Sequence, residues 1–534
     1  MKLSVIVRFR NEGAYLGTVL NAVREQHCEQ SVEIVAIDNA STDDSRRIAE
    51  RYADVVLDIT DYRPGAALNR AIESCSGDAL VVLSAHAIPA NRRWLAKLTS
   101  WLPDTRVLGI YGAQLYPITS RFLDKRDLDI FSDLRPRVES SDSDFWNANS
   151  TFLRSRWDKE QFDEIVIELE DHHWTKKILP HRDLRVRFEP EALVYHYGHE
   201  ARNDRTFIPP TGATAEEHLA AAVAVLEARD EPWPAVMSAG LTLASLSDHL
   251  EIDRAVPALG RTLLEHDDFD VRWRVAGALG RIGTPEAARF LIAGLRDPSF
   301  YVCNESAWAL GRAGHVGTAE LLTAIDTLEP VHLPHAAMAL GLSGDRSAAA
   351  QGVLLLRDSI CSGTVEQVRD SLYSLGEIAE VEGTAALASL VTRCLESDVN
   401  EVARAAAWCW GMLVSHHPDA KSLDSHRLTS LVERHPVETV RFEAVVALGW
   451  AARVKQDSRL VQEVLRVLDT DAVGRVRYGA MQTLRLLASA GVDCRAEVEA
   501  HDDDTDFGVL FERSLILGES MDLTWTAPPV ELKG

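Results

Sequence analysis

"RPGAALNRAIESCSGDALVVLSAH" (residues 63–86) runs a helix-like stretch into a short apolar strand. Residues 64–74 read as helix. Gly77-Asp78 makes a turn, and Ala79 to Leu83 forms an uninterrupted apolar run. A run without polar alternation is buried on both faces, as strands of a parallel sheet covered by helices are. The same reading extends upstream. Leu3 to Val7, Val32 to Ile37 and Val55 to Ile59 are strand candidates, separated by helix-like stretches at residues 14–26 and 45–53. Strand and helix alternate, so the first ~200 residues are expected to be an α/β domain on a mostly parallel sheet. In such sheets ligands lie beyond the carboxyl ends of the strands. Arg8 to Glu12, Asp38 to Asp44 and Ser84 to His86 are therefore the segments to read for chemistry.

From about residue 233 the period changes. "DVRWRVAGALGRIG" (270–283) recurs as "YVCNESAWALGRAG" (301–314), "VHLPHAAMALGLSG" (331–344) and "VEQVRDSLYSLGEI" (365–378). Three more copies start at residues 399, 437 and 473. A repeat of 30 to 38 residues predicts an all-α solenoid. Each copy is an Ala-rich helix with Val-Arg near its start, and the glycine after Ala-Leu reads as a helix end. The units resemble HEAT repeats. The expected domains are 1–205 (α/β), 206–232 (linker with a helix), 233–500 (solenoid) and 501–534 (tail). Asp502-Asp503-Asp504 at the start of the tail reads as a solvated turn. Trp308, Trp408, Trp410 and Trp450 are either groove-lining or core.

The formal net charge of −25 over 534 residues argues against a general nucleic-acid or anionic-membrane binder. Seven scattered cysteines without a CxxC pair read as reduced thiols of a cytoplasmic protein. No signal peptide and no membrane span are expected.

"AIDNASTDDS" (36–45) ends a strand in Asp38, whose carboxylate can accept from a base N–H or a ribose hydroxyl. Ser41, Thr42 or Asp43 can equally cap the next helix. Four other stretches give a direction. "RPGAALNRAIESCSGDALVVLS", Arg10-Asn11-Glu12 after the first strand, "FWNANSTFLRSRWDKEQFDE" (145–164) and "ELEDHHW" (168–174) stand in one order along residues 2 to 200. In that order they resemble the family-2 glycosyltransferases.

The resemblance implies a GT-A (Rossmann-like) fold, a nucleotide-diphosphate-sugar donor and inverting transfer. It implies Asp171 as the base, with Glu170 beside it. Arg8, Arg10, Asn11, Glu12, Asp38, Ser41, Asn69 and Ser84 fall on the donor side. Gln114, Trp146 and Asn149 fall on the acceptor and sugar side. Where relatives carry Asp-x-Asp for a divalent cation (Mn²⁺ or Mg²⁺), this chain has Ser84-Ala85-His86. Histidine is a competent ligand for first-row ions, so His86 and His196 are the expected metal contacts, with His199 further out. The competing accounts are that His86 caps a turn and that Glu170-Asp171 are partners of a helix dipole. His172 and His173 line the acceptor side or are solvated.

The expected activity is metal-dependent transfer of a hexose-like sugar to a hydroxyl of an acceptor. The acceptor could be a peptide or protein recruited by the repeats, or a glycan. Homodimerisation is an open partner reading. The alternative is a degenerate, nucleotide-binding scaffold whose working part is the repeat array.

Overall fold

The computed structural model describes residues 1–120, 135–140, 145–181, 183–197, 214–228, 231–519 and 521. His199 and much of the expected linker and tail lie outside them.

The apolar runs form strands where the pattern places them. β1 (Leu3–Phe9), β2 (Val32–Asp38), β3 (Val55–Asp58) and β4 (Ala79–Ser84) are parallel, with β1 between β2 and β4. Helices α1 (Leu16–Arg24), α2 (Ser45–Tyr52) and α3 (Pro64–Ser74) connect them. β5 (Ala87–Pro89) and α4 (Trp94–Leu98) come next, then β6 (Val107–Leu115), β7 (Arg137–Glu139) and β8 (Asn149–Leu153). The short α5 (Arg154–Trp157), α6 (Glu170–Ile178) and the long β9 (Arg185–His196) complete the region. Among the described residues the sheet order is β3-β2-β1-β4-β8-β6-β9-β5, with β7 on β9. β8 runs antiparallel to both β4 and β6, so the sheet is parallel at one side and mixed at the other. β1 and β4 are buried almost throughout, which is why their sequences do not alternate.

Register fixes the site edge. Phe9 pairs with Asp38 and Arg8 with Ser84, so the carboxyl ends of β1, β2 and β4 lie side by side. Ala87 pairs with His196, which brings the end of β9 to the residue after His86.

The repeats are helices at the expected positions, among them Phe269–Ile282, Phe300–Arg312, Val365–Glu377 and Asn400–His416. The Ala-Leu-Gly glycine is not a helix end. Gly280 and Gly311 lie inside their helices, where a Cβ would collide with Ala309 and Leu342 of the next repeat. The small residue allows close helix packing. The chain is turned by the later glycines Gly283, Gly314 and Gly344, at φ of 67°, 58° and 74°. The arginine of Val-Arg also has a packing role. Arg272 forks onto Asp297 at 2.7 and 2.9 Å, and its Nη1 donates to the carbonyls of His266 and Asp267. Trp408 and Trp410 are core, while Trp308 and Trp450 are partly exposed.

By packing, the chain divides into two units. One holds Met1–Asn203 together with Leu468–Gly534, and the other spans Asp204–Val467. The seventh repeat helix (Gly474–Ser489) and the helix Phe507–Leu517 thus belong with the α/β region. Asp502 and Asp503 are exposed, but Asp504 is not the solvated residue expected. It is buried and accepts both arms of Arg477, at 2.7 Å each, and His501 Nε2 at 2.9 Å. All seven cysteines are free thiols. Among the described residues no helix is long and apolar enough to cross a membrane.

Candidate active site

Three clusters occupy the carboxyl edge of the sheet. The first joins the loops after β1 and β2. Asp38 is buried and accepts from the Ser41 N–H at 2.9 Å. Ser41 Oγ accepts from the Asn11 N–H at 3.0 Å, and Asn11 Oδ1 from the Thr42 N–H at 2.8 Å. The capping expectation also has a counterpart here. Ser45 Oγ and Asp43 Oδ2 accept from Glu12 N–H and Gly13 N–H and so tie the first loop, while Asp43 Oδ1 accepts from the Ser45 N–H at 3.0 Å at the start of its own helix. Arg10 is exposed.

The second cluster holds the acids. Glu170 and Asp171 open α6, and both are buried. Arg8 Nη1 lies 2.9 Å from Glu170 Oε1 and 3.2 Å from the Pro64 carbonyl. Burial opposes the charge of Arg8, yet Tyr62, Glu170 and Asp171 around it hold its pKa above the usual value. Asp171 Oδ2 accepts from the Asn147 N–H at 2.6 Å and Oδ1 from the His172 N–H at 3.0 Å. Burial, and then the charge of Glu170, push the Asp171 carboxyl up to about 6, against the opposing pull of His172 and the two backbone donors. Two adjacent carboxylates thus have different partners: Glu170 is ion-paired to Arg8, and Asp171 is held by backbone N–H groups.

The third cluster lies where the metal motif was expected. His86 Nδ1 is 2.9 Å from Glu12 Oε1. The His86 and His196 rings meet edge to face at 4.8 Å, and Tyr116 lies 5.2 Å from His196. Ser84 is partly exposed and its N–H donates to the Ala148 carbonyl.

Backbone strain marks the same loops. Asn11, Ala40 and Leu169 have φ of 54°, 51° and 58°, and each immediately precedes a residue of these clusters: Glu12, Ser41 or Glu170. Non-glycine residues in this region persist where the surroundings over-determine them, often at functional sites.

Other expected residues are placed differently. Asn69 uses its whole amide inside the protein: Oδ1 accepts from Trp157 Nε1 and the Phe162 N–H, and Nδ2 donates to the Phe162 carbonyl and Glu164. Asn149 accepts from Trp94 Nε1 and donates to the Ala113 and Ala192 carbonyls. It binds β8 to its neighbours. Gln114 is buried in β6, and Trp146 packs on His172 at 4.4 Å. His172 is buried, and His173 lies 3.8 Å from Asp163. The asparagine that serves the acids is Asn147, whose Nδ2 also reaches Glu170 at 3.3 Å. Sequence reading missed it, although it stands two residues from Asn149 in the same "FWNANS".

Among the described residues no group of three His, Cys, Asp or Glu forms a closed metal cage. The donors gathered here are the His86 and His196 imidazoles and the Glu12 carboxylate, residue types that first-row and harder divalent cations accept. A ligating imidazole typically hands its other ring nitrogen to a carboxylate, and His86 does so to Glu12.

Residues 4–164 match the glycosyl transferase family 2 profile, and residues 219–311 match HEAT repeats. The chain therefore carries a family-2 glycosyltransferase domain followed by HEAT repeats. A curated relative is the O-antigen chain rhamnosyltransferase WbaN of Salmonella anatum, 31% identical over 94 residues. That stretch spans 17% of this chain and 30% of the relative's length. Similar solved structures include the Pyrobaculum calidifontis mannosyltransferase PcManGT in complex with GDP-Man and Mn²⁺. It is 20% identical, with 61% of this chain and 88% of that chain covered and a TM-score of 0.32. The S. aureus TarS 1–349 structure is 15% identical, with 61% and 92% covered and a TM-score of 0.31.

Proposed function

We propose that the α/β domain transfers a sugar from a nucleotide-diphosphate donor to an acceptor hydroxyl with inversion. The observation that carries this reading is the acid pair at the sheet edge. Arg8 neutralises Glu170, and Asp171 beside it is held with a raised pKa. Environments that separate two neighbouring carboxylates assign them different tasks. Asp171 is the group that takes the proton from the acceptor hydroxyl. The acceptor oxygen then bonds to the anomeric carbon as the bond from that carbon to the diphosphate oxygen breaks. Glu170 and Asn147 orient the base. The Asp38, Ser41 and Asn11 cluster binds the nucleoside, with Arg10 and Ser84 at its border.

A divalent cation would be held by His86 and His196, with Glu12 orienting His86, and would supply positive charge to the leaving diphosphate. The domain boundaries, the acceptor, any homodimer and the cytoplasmic location belong to the same proposal. The repeats are the segment that would recruit a peptide, protein or glycan acceptor, since solenoids present extended binding surfaces.

The test is calorimetric titration of uridine, guanosine and thymidine diphosphates with and without Mn²⁺, followed by turnover over a nucleotide-sugar panel. One nucleotide is expected to bind more tightly with Mn²⁺. Asp171→Asn should retain that binding while turnover falls on the order of 10²–10⁴-fold. Glu12→Gln should weaken Mn²⁺ binding roughly 10–100-fold. No binding of any nucleotide would favour the scaffold reading, in which the missing Asp-x-Asp marks a degenerate site.

A further inference from the structure

We propose that Glu512, near the far end of the chain, is a positioning residue for the transferase site and acts through Tyr197. The inference rests on the proposed function, in which the Glu12, His86 and His196 cluster serves the donor.

Tyr197 adjoins His86 and His196 and reaches Glu12 through Tyr15. It comes directly after His196 in sequence, and its N–H donates to the His86 carbonyl at 2.9 Å. Its ring stacks on Tyr15 at 5.4 Å and an interplanar angle of 19°. The N–H groups of Tyr15 and Leu16 in turn donate to the Glu12 carbonyl at 3.0 and 2.9 Å. One residue is therefore linked to the backbone of all three: to His86 by its N–H, to His196 by the peptide bond, and to Glu12 by its ring through Tyr15.

The C-terminal segment fixes that side chain in turn. The Tyr197 hydroxyl donates to Glu512 Oε1 at 2.8 Å and accepts from the Tyr478 hydroxyl at 3.1 Å. Gln482 Nε2 donates to the same Glu512 oxygen at 2.7 Å and to Tyr478 at 2.8 Å. Arg485 Nε lies 2.7 Å from Glu512 Oε2. Phe511 packs on both Tyr15 and Tyr197, at 6.0 and 5.1 Å. Glu512 and Tyr478 are fully enclosed. A buried carboxylate is costly unless every oxygen is used, and here both are. Such a network holds its members in one geometry. An apolar side chain at 512 would fill the space but would remove the acceptor of the Tyr197 hydroxyl, leaving it only the Tyr478 hydroxyl.

The experiment uses the full chain and reads three quantities for Tyr197→Phe, Glu512→Gln and Glu512→Leu. They are kcat and KM for donor turnover, the melting temperature, and the NMR ring signals of isotope-labelled His86 and His196. Tyr197→Phe keeps the stacked ring and loses only the hydroxyl. It should lower kcat about 10-fold or more, because small misplacements are expensive in rate. Donor KM should stay within about twofold, and both histidine signals should move. Glu512→Leu should reproduce this, and Glu512→Gln, which keeps an acceptor oxygen for Tyr197, should restore part of it. A lower melting temperature with kcat and the histidine signals unchanged overturns the proposal. If the wild type turns over no donor, the functional reading fails separately. The histidine signals then decide: movement in Tyr197→Phe supports the coupling, and no movement overturns it.

Discussion

Asp171 and Glu170 are adjacent in sequence and alike in chemistry, yet the structure gives them unlike surroundings. The raised pKa of Asp171, about 6, has a sign that activity can read. Below it the carboxyl is protonated and, in the proposed function, cannot accept the acceptor's proton. Above it the base form accumulates. The kcat/KM for transfer should therefore rise through about pH 6 and level off beyond pH 7, measured between pH 5 and 8. Glu170→Gln removes the neighbouring charge that helps raise this pKa, so the rising limb should shift to lower pH. The acid pair was singled out in the sequence only through the family resemblance of its motif order, since two adjacent acids at a helix start equally suit the helix dipole. The asparagines were not. Asn69, Asn147 and Asn149 each carry one acceptor and one donor group, which suit a backbone clamp and a ligand equally. Packing alone gives Asn69 and Asn149 to the framework and Asn147 to the acids.

The elements followed their periodicity closely. Buried apolar runs became the parallel strands, and seven aligned copies became helices of the repeat region. The role of the repeat glycine did not follow. A glycine late in an Ala-rich helix satisfies both a helix end and a close helix contact, and only the neighbouring helix distinguishes them. Gly376 shows the contact in its tightest form, since a Cβ there would overlap the ring of Trp408 on the next repeat helix. Gly376→Ala should cost about 1–3 kcal/mol despite the better helix propensity of alanine. Denaturant unfolding of the full chain, followed by tryptophan fluorescence, is the measurement. A neutral or stabilising result would mean that the ring moves aside freely.

At the scale of the whole molecule, the last helices belong to the unit that begins with Met1. The Tyr195 hydroxyl donates to Asp506 at 2.8 Å and its ring stacks on Tyr478 at 3.8 Å. The Phe507 N–H donates to the Ala90 carbonyl at 2.7 Å, and Gln482 Oε1 accepts from the Ile118 N–H at 2.9 Å. A chain ended after Val467 would expose those rings and leave those groups unpaired. It should lose soluble yield and melt at a lower temperature than the full chain, as size-exclusion chromatography and a thermal scan would record. By itself the sequence determined the strand and helix periods and the repeat, because each is written in local spacing, while the acid pair was picked out by a resemblance in motif order. Only the tertiary structure decided that the seventh repeat joins the unit that begins with Met1 and that Glu12 pairs with His86. These contacts join residues 74 to more than 300 positions apart, and no local pattern encodes a partner at that separation.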